Sequence, residues 1–253
     1  MPESRGDTGR RGWIRRNAAY SQLTVTEYTI RRSDRARRLR IVVAPTGVEV
    51  VLPRRMALRH AEEFVAEKRP WIERTLRQYR DAEASLPPVR LVDGGEVPYL
   101  GLMLPIRVHV EPWRTRPGVS RRGGTLRVGV TEPGDEAVRD ALARWYKRRA
   151  RVEIAERLDW ATLRAGTTYT KLQIRDPSSR WASCSSTGAM SFSWRLLLAP
   201  EPVLAYVVEH EVAHLDVMDH SKRFWRLLEQ RCPDYREHER WLRSYGPALR
   251  TLL

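Results

Sequence analysis

The chain is short of cysteine, of acidic residues relative to basic ones, and of unbroken apolar stretches. Its 253 residues include only 2 cysteines, Cys184 and Cys232, which cannot make a disulfide framework and lack the close pairing of a thiolate zinc site. Buried structural thiols are the expectation. No apolar run approaches the roughly 20 residues that a helix needs to cross a bilayer, so no membrane partner is expected. Nothing near the N-terminus has the apolar core of a signal peptide, and the expected compartment is the cytoplasm. Acidic side chains number 31 against 46 lysines and arginines, which leaves a net charge of +15 at pH 7. Most of that excess is arginine, with Arg31, Arg32, Arg35, Arg37, Arg38 and Arg40 inside ten residues. A surface of this kind attracts nucleic acid, anionic membrane or acidic substrates. Nucleic acid is a candidate partner through the basic surface, the alternative being a simply solvated basic face, since no aromatic-interleaved binding motif accompanies the charge. The sequence sets no oligomeric state.

What is present is a hydrophobic fraction of 42% and 9 tryptophans, enough for one large core or two modest ones. Residues 1–20 are polar, basic and aperiodic and read as a disordered tail. From Leu23 the pattern alternates as a strand does, and two β-branched runs meet at Pro45-Thr46-Gly47 in a hairpin. Residues 56–79 have helical period, with Pro70 expected to kink or split the helix. Residues 81–92 read as a linker. A second β stretch follows, in residues 97–101, LPIRVHV and LRVGV, the last two separated by a turn-rich segment at 116–124. His109 lies in one of these strands and reads as a packed or exposed strand residue. Asp135 is a reasonable N-cap for a long helix whose inward stripe is Val138, Leu142, Trp145, Val152, Ala155 and Leu158. Two further strands, residues 171–175 and 190–194, flank a polar loop at 176–188. No internal repeat is evident. The reading is an α+β protein in three parts: the tail at 1–20, an antiparallel β-rich region with a helix at 21–130, and a mainly helical metal-binding domain with a short sheet at 131–253.

The chemistry concentrates in residues 205–225. Of the 6 histidines, three fall in eleven residues: His210 and His214 in the run His210-Glu211-Val212-Ala213-His214, and His220 beyond it. Histidines four apart stand one turn above each other on a helix, so both imidazoles reach one point in space. That helix opens at Pro200-Glu201-Pro202, since proline is tolerated in a first turn, and it is apolar nearly all round, hence buried. Buried imidazoles beside a carboxylate are costly without strong partners, and a metal ion provides one. Asp219 is expected to end the helix in a left-handed conformation and Ser221 to cap the next, fixing His220 as the third ligand. Three histidines around one Zn2+ leave a position for water, as catalytic sites do. Zinc lowers the pKa of that water, and Glu211 acts as general base on the metal-activated water and then passes its proton to the leaving amine. The spacing equals that of the metzincins, but Val217 stands at their glycine position and no methionine follows His220. This is not a metzincin. Asp216, Asp219 and Glu229 are candidate partners for the outer imidazole nitrogens.

The segment Ser179-Arg180-Trp181-Ala182-Ser183-Cys184-Ser185, then Trp194-Arg195-Leu196, then Tyr206-Val207-Val208 running into His210, resembles the YgjP-like metallopeptidase domain family. His220-Ser221, Phe224-Trp225 and Pro233-Asp234-Tyr235 fit the same pattern, and the likeness spans roughly residues 25–250. It departs at Ala182, where glycine is usual, and at Asp219, where asparagine is usual. The resemblance implies a zincin-like metal-dependent hydrolase, related to SprT-like DNA-repair proteases, with His220 as third ligand and Glu211 as general base. A metallopeptidase acting on a peptide or protein is the expected function. The alternatives are a nucleotide pyrophosphatase, since some members of the family are so described, and a nucleic-acid-associated protease. Residues 189–197 are expected to offer a strand edge on which an extended substrate lies. Arg195, Trp194 and Arg180 are the candidate substrate-binding residues.

Overall fold

The computed structural model describes residues 27–177 and 179–253, together with the backbone of 14–16. The expected tail lies outside the described residues apart from Ile14–Arg16, which form strand β1. The chain divides into two compact units, Met1–Glu83 and Ala84–Leu253.

In the first unit, β1 pairs antiparallel with β2 (Tyr28–Ser33), and β2 runs parallel to β4 (Gly47–Pro53). Strand β3 (Arg40–Ala44) forms the expected hairpin with β4 across Pro45-Thr46. The spatial order is β1-β2-β4-β3. Helix α1 (Arg59–Ser85) follows and runs through Pro70 without a break. The expected split does not occur: the helix continues although Pro70 gives up the hydrogen bond of its missing N–H and crowds the carbonyl one turn before it. The helix turns Ala61, Val65 and Ile72 onto Ile30, Val48, Val50 and Leu52 of the sheet. Its apolar contacts fall on one stripe, as an amphipathic helix on one face of a sheet requires.

The second unit begins with the same topology. Strand β5 (Glu96–Tyr99) pairs antiparallel with β6 (Leu102–Val110), β6 runs parallel to β8 (Thr125–Val130), and β7 (Gly118–Arg122) forms a hairpin with β8. The order is β5-β6-β8-β7, followed by the long helix α2 (Asp135–Ala165). Strand, hairpin and helix therefore occur twice, a structural repeat where the sequence suggested none. Strand β7 falls in the segment read as turn, because Gly118–Arg122 lies at the sheet edge with its arginines exposed and has no apolar alternation. Both sheets are mixed rather than antiparallel.

Two hairpin loops in this unit have two residues with positive φ, the geometry that matches strand twist. In one these are Gly123 and Gly124. In the other they are Gly101 (φ 88°) and Leu100 (φ 52°), a conformation that costs a leucine roughly 1–2 kcal/mol. Leu100 is held there by its N–H, which donates to the carbonyl of Leu197 at 2.8 Å. The 3-10 turn that contains Leu197, Trp194–Leu198, leads directly into α3 (Glu201–Asp216).

The core of the second unit joins β5–β8 to α2 and α3 through Ile106, Leu126, Val128, Leu142, Tyr146, Ile154, Phe192, Trp194, Leu204 and Val208. The β-rich residues 84–130 thus pack with α2 and the histidine-bearing α3 in one unit. The inward stripe of α2 is as expected at Val138, Leu142, Trp145 and Leu158, whereas Val152 is 43% exposed and Ile154 takes the inward place. Asp135 begins α2 but Gly134 is its N-cap, without a side-chain bond. A three-stranded sheet in the order β10-β11-β9 completes the unit, with β9 at Lys171–Arg175, β10 at Ala182–Cys184 and β11 at Ala189–Ser193. Helices α4 (Lys222–Arg231) and α5 (Tyr235–Leu249) close it beside α3. His109 is an exposed residue of β6, and no described helix is long and apolar enough to cross a membrane.

Candidate metal centre

Helix α3 is buried on nearly every side, through Val203, Leu204, Val207, Val208, Val212 and Ala213. That burial fixes its rotation and hence the direction of the polar groups it carries. His210 and His214 stand one turn apart with ring centroids 5.0 Å apart, and His220 comes within 5.2 Å of the first ring and 4.7 Å of the second. The three ligand atoms lie within 4.8 Å of one another, so these side chains could hold a metal ion.

Two details test whether a metal suits them. The Nε2 atoms of His210 and His220 are 3.1 Å apart, close to the roughly 3.3 Å edge of a tetrahedron drawn with zinc–nitrogen bonds of about 2.0–2.1 Å. Nδ1 of His214 lies 3.1 Å from the carbonyl oxygen of Val217. A carbonyl only accepts, so Nδ1 carries the proton and Nε2 keeps its lone pair for a metal. Burial lowers the pKa of His210 to about 3 and that of His214 in the same direction. Both rings are neutral near pH 7, the form that ligates. The donor set fits zinc.

The turn carrying His220 is pinned differently from the sequence expectation. Helix α3 ends at Asp216 with Val217 as an extended cap, and Asp219 is not left-handed. The Asp219 carboxylate instead accepts the Ser221 N–H at 3.1 Å. Ser221 precedes α4 but gives no side-chain cap. Arg231, at the far end of α4, donates to Asp216 at 2.6 Å and ties the two ends of the hairpin together. Of the three carboxylates considered as imidazole partners, Asp216 serves Arg231, Asp219 serves Ser221 and Glu229 pairs with Arg236. A backbone carbonyl, which carries no sequence signature, fills the role for His214.

Glu211 is 6% exposed and its Oε2 has no hydrogen-bond partner among the described residues. Burial pushes its pKa up to about 7, against the opposing pull of Arg180 and of the Cys184 backbone N–H that it accepts. Strand β10 thereby touches the site through its main chain. Ser193 N–H donates to Trp181 O and Ser185 N–H to Ala189 O, on either side of the 183↔191 pair. Alternation along an antiparallel ladder then turns the N–H and C=O groups of Ala182 and Cys184 away from β11. The strand expected to supply an edge, β11, lies in the middle of its sheet.

The three candidate substrate residues separate. Arg180 is exposed, and its charge bears on Glu211. Trp194 is 1% exposed, a core residue stacked under the Arg195 guanidinium. Arg195 is neutralised by Asp176 at 2.8 Å and donates to the Leu253 carbonyl at 2.6 Å. The Trp194 indole N–H is buried and has no hydrogen-bond partner among the described residues, whereas the Arg195 guanidinium is engaged on both nitrogen ends. Aromatic residues of the same stretch adjoin the histidines: Phe224 stacks on His214 at 4.5 Å, Trp225 lies 5.6 Å from the His220 ring, and Tyr206 lies between His210 and His238. The helical spacing 206–210 was the available signal for Tyr206.

Three histidines that could hold a metal ion beside a buried glutamate, in an α+β fold, are what a metal-dependent hydrolase requires. More specifically, the chain belongs to the YgjP-like metallopeptidase domain family, whose model matches residues 37–245. Among solved structures it is similar to the metallopeptidase zymogen abylysin of Pyrococcus abyssi, with 25% identity, a TM-score of 0.34, and coverage of 37% of this chain and 95% of that one. No curated protein matches the sequence.

Proposed function

We propose that the protein is a zinc-dependent peptidase in which His210, His214 and His220 hold one zinc ion and Glu211 is the general base. The observation that carries this reading is the meeting of three imidazole ligand atoms within 4.8 Å beside a buried carboxylate with a free oxygen. Zinc held there supplies Lewis acidity to a peptide carbonyl and to water. Glu211 takes a proton from the water as its oxygen adds to the carbonyl carbon. It returns that proton to the nitrogen as the C–N bond breaks. Burial, which keeps Glu211 basic, suits it to both transfers. The Cys184 N–H orients the carboxylate.

An extended peptide would pair with the outward groups of β10, the Ala182 N–H and C=O and the Cys184 C=O, and so lie alongside α3. Arg180 is placed to meet a substrate carbonyl or carboxylate. The unpaired thiols Cys184 and Cys232 fit a reducing compartment, and we place the protein in the cytoplasm. The test is a parallel panel of peptides and of nucleotides carrying phosphoanhydride bonds, read with purified zinc-loaded protein. Peptide cleavage that stops on chelation supports the reading. Hydrolysis confined to the nucleotides replaces it with the pyrophosphatase alternative.

A further inference from the structure

We propose that the loop between β2 and β3 binds the phosphate backbone of nucleic acid, without regard to base sequence. The loop and its flanks form a concavity of about 660 Å³ lined by Ser33, Arg35, Ala36, Arg37, Arg38, Leu39 and Arg40. All four of these arginines are exposed, and none of their guanidinium groups has an acidic partner or a hydrogen bond among the described residues. Their neighbours are accounted for: Arg31 pairs with Glu49, Arg32 donates to the carbonyls of Arg54 and Met56, and Asp34 is taken by Arg54. Four like charges on one short loop repel each other, and nothing in the described fold offsets that repulsion.

The repeated topology supplies an internal comparison. The equivalent loop of the second unit, between β6 and β7, also carries arginine. There the buried Glu111 pairs with Arg114 and Arg127. One copy of the loop holds a carboxylate, Glu111, that engages its Arg114 and Arg127 of the neighbouring strand, and the other presents Arg35, Arg37, Arg38 and Arg40 to solvent with no such carboxylate.

Guanidinium forks match phosphate oxygens in two-point contacts. The loop has no aromatic side chain on which a base could stack, so the contacts fall on the sugar-phosphate chain and carry no sequence preference. Its apolar residues, Ala36 and Leu39, are both half-buried. That favours nucleic acid over a lipid surface, where an inserted apolar group adds to the electrostatic attraction. The inference concerns the N-terminal unit alone and holds whatever bond the histidine site cuts.

The experiment uses the full chain with a fluorescent DNA duplex, read by anisotropy from 50 to 200 mM salt. Four phosphate contacts weaken binding roughly 100-fold over that range. Replacing Arg35, Arg37, Arg38 and Arg40 together by Gln lowers affinity at least tenfold and flattens the log–log salt slope by about 3. A control variant with Arg144, Lys147, Arg148 and Arg151 changed to Gln loses the same charge from α2 and binds nearly as the parent does. In the unmodified chain, duplex shields the 35–40 segment from an arginine-modifying reagent, a readout that needs no variant. Equal losses in the two variants, no loss in the first, or no shielding overturns the proposal. So does a loop variant that loses binding to anionic vesicles yet keeps its grip on DNA.

Discussion

Arg231 and Asp216 meet at 2.6 Å across the hairpin whose tip carries His220. Asp216 is the last residue of α3 and Arg231 the last of α4, so the pair fixes the separation of the two helices. His220 itself is exposed. Its position is set by this clamp, by the Asp219–Ser221 bond and by the packing of Phe224. Arg231→Met should therefore weaken zinc binding about tenfold, the lower end of what supporting groups around a metal are worth. Competition with a chromogenic chelator measures it. Unchanged affinity would show that Phe224 packing alone positions the ligand.

A second expectation concerns Gly246 of α5. A Cβ there would sit 2.9 Å from the Trp181 ring. Trp181 is also covered by Arg250, whose guanidinium lies 4.1 Å from the ring centroid. Gly246→Ala must push Trp181, and Trp181 lies between Arg180 and the β10 strand that contacts Glu211. The expected cost is about 1–3 kcal/mol of stability. Activity should fall roughly tenfold or more under conditions where the variant stays folded, because small displacements near reacting groups are expensive. Activity that tracks the folded fraction alone would dissociate Trp181 from the site.

The third concerns acid. Burial by itself would raise the pKa of Glu153, but hydrogen bonds from Tyr99, Arg157 and Arg149 outweigh it and hold the carboxylate below its ordinary 4.5. A native pKa below the unfolded one stabilises the fold above about pH 4.5 and is lost as pH falls through the native value. Unfolding midpoints of the parent should drop on acidification below pH 4.5, and Glu153→Gln should remove part of that dependence while starting from a lower midpoint at pH 7. Parallel curves for the two proteins would mean that Glu153 does not report on folding.

Much of the centre was legible because its signals are local. Helix α3 is apolar all round and opens with proline, so its burial and its start could be read from spacing, as could the convergence of His210, His214 and His220. Groups that act through the main chain left no trace. The Val217 carbonyl and the Cys184 N–H could be those of any residue, and β10 is three residues inside a polar loop. Asp219 was legible as a turn residue but not as the acceptor for Ser221. Arg195 and Trp194 looked available because sequence shows polarity and size, whereas Asp176, the C-terminal carbonyls and the core claim them. The repeat was hidden because topology is shared while side chains are not. The two hairpins turn through Pro45-Thr46 and Gly123-Gly124, and one β–β loop holds Glu111 against Arg114 while the other sets no carboxylate against Arg35, Arg37, Arg38 and Arg40.

Metal binding by the three histidines and proton transfer by Glu211 separate in one measurement. Metal content and peptide hydrolysis are determined side by side for the parent, Glu211→Ala and His214→Ala, purified without chelators. The expected result is one zinc per chain in the parent and in Glu211→Ala, with hydrolysis lost in the latter, and little metal in His214→Ala. A parent without zinc, or a Glu211→Ala protein that still cleaves peptides at the parental rate, would contradict it.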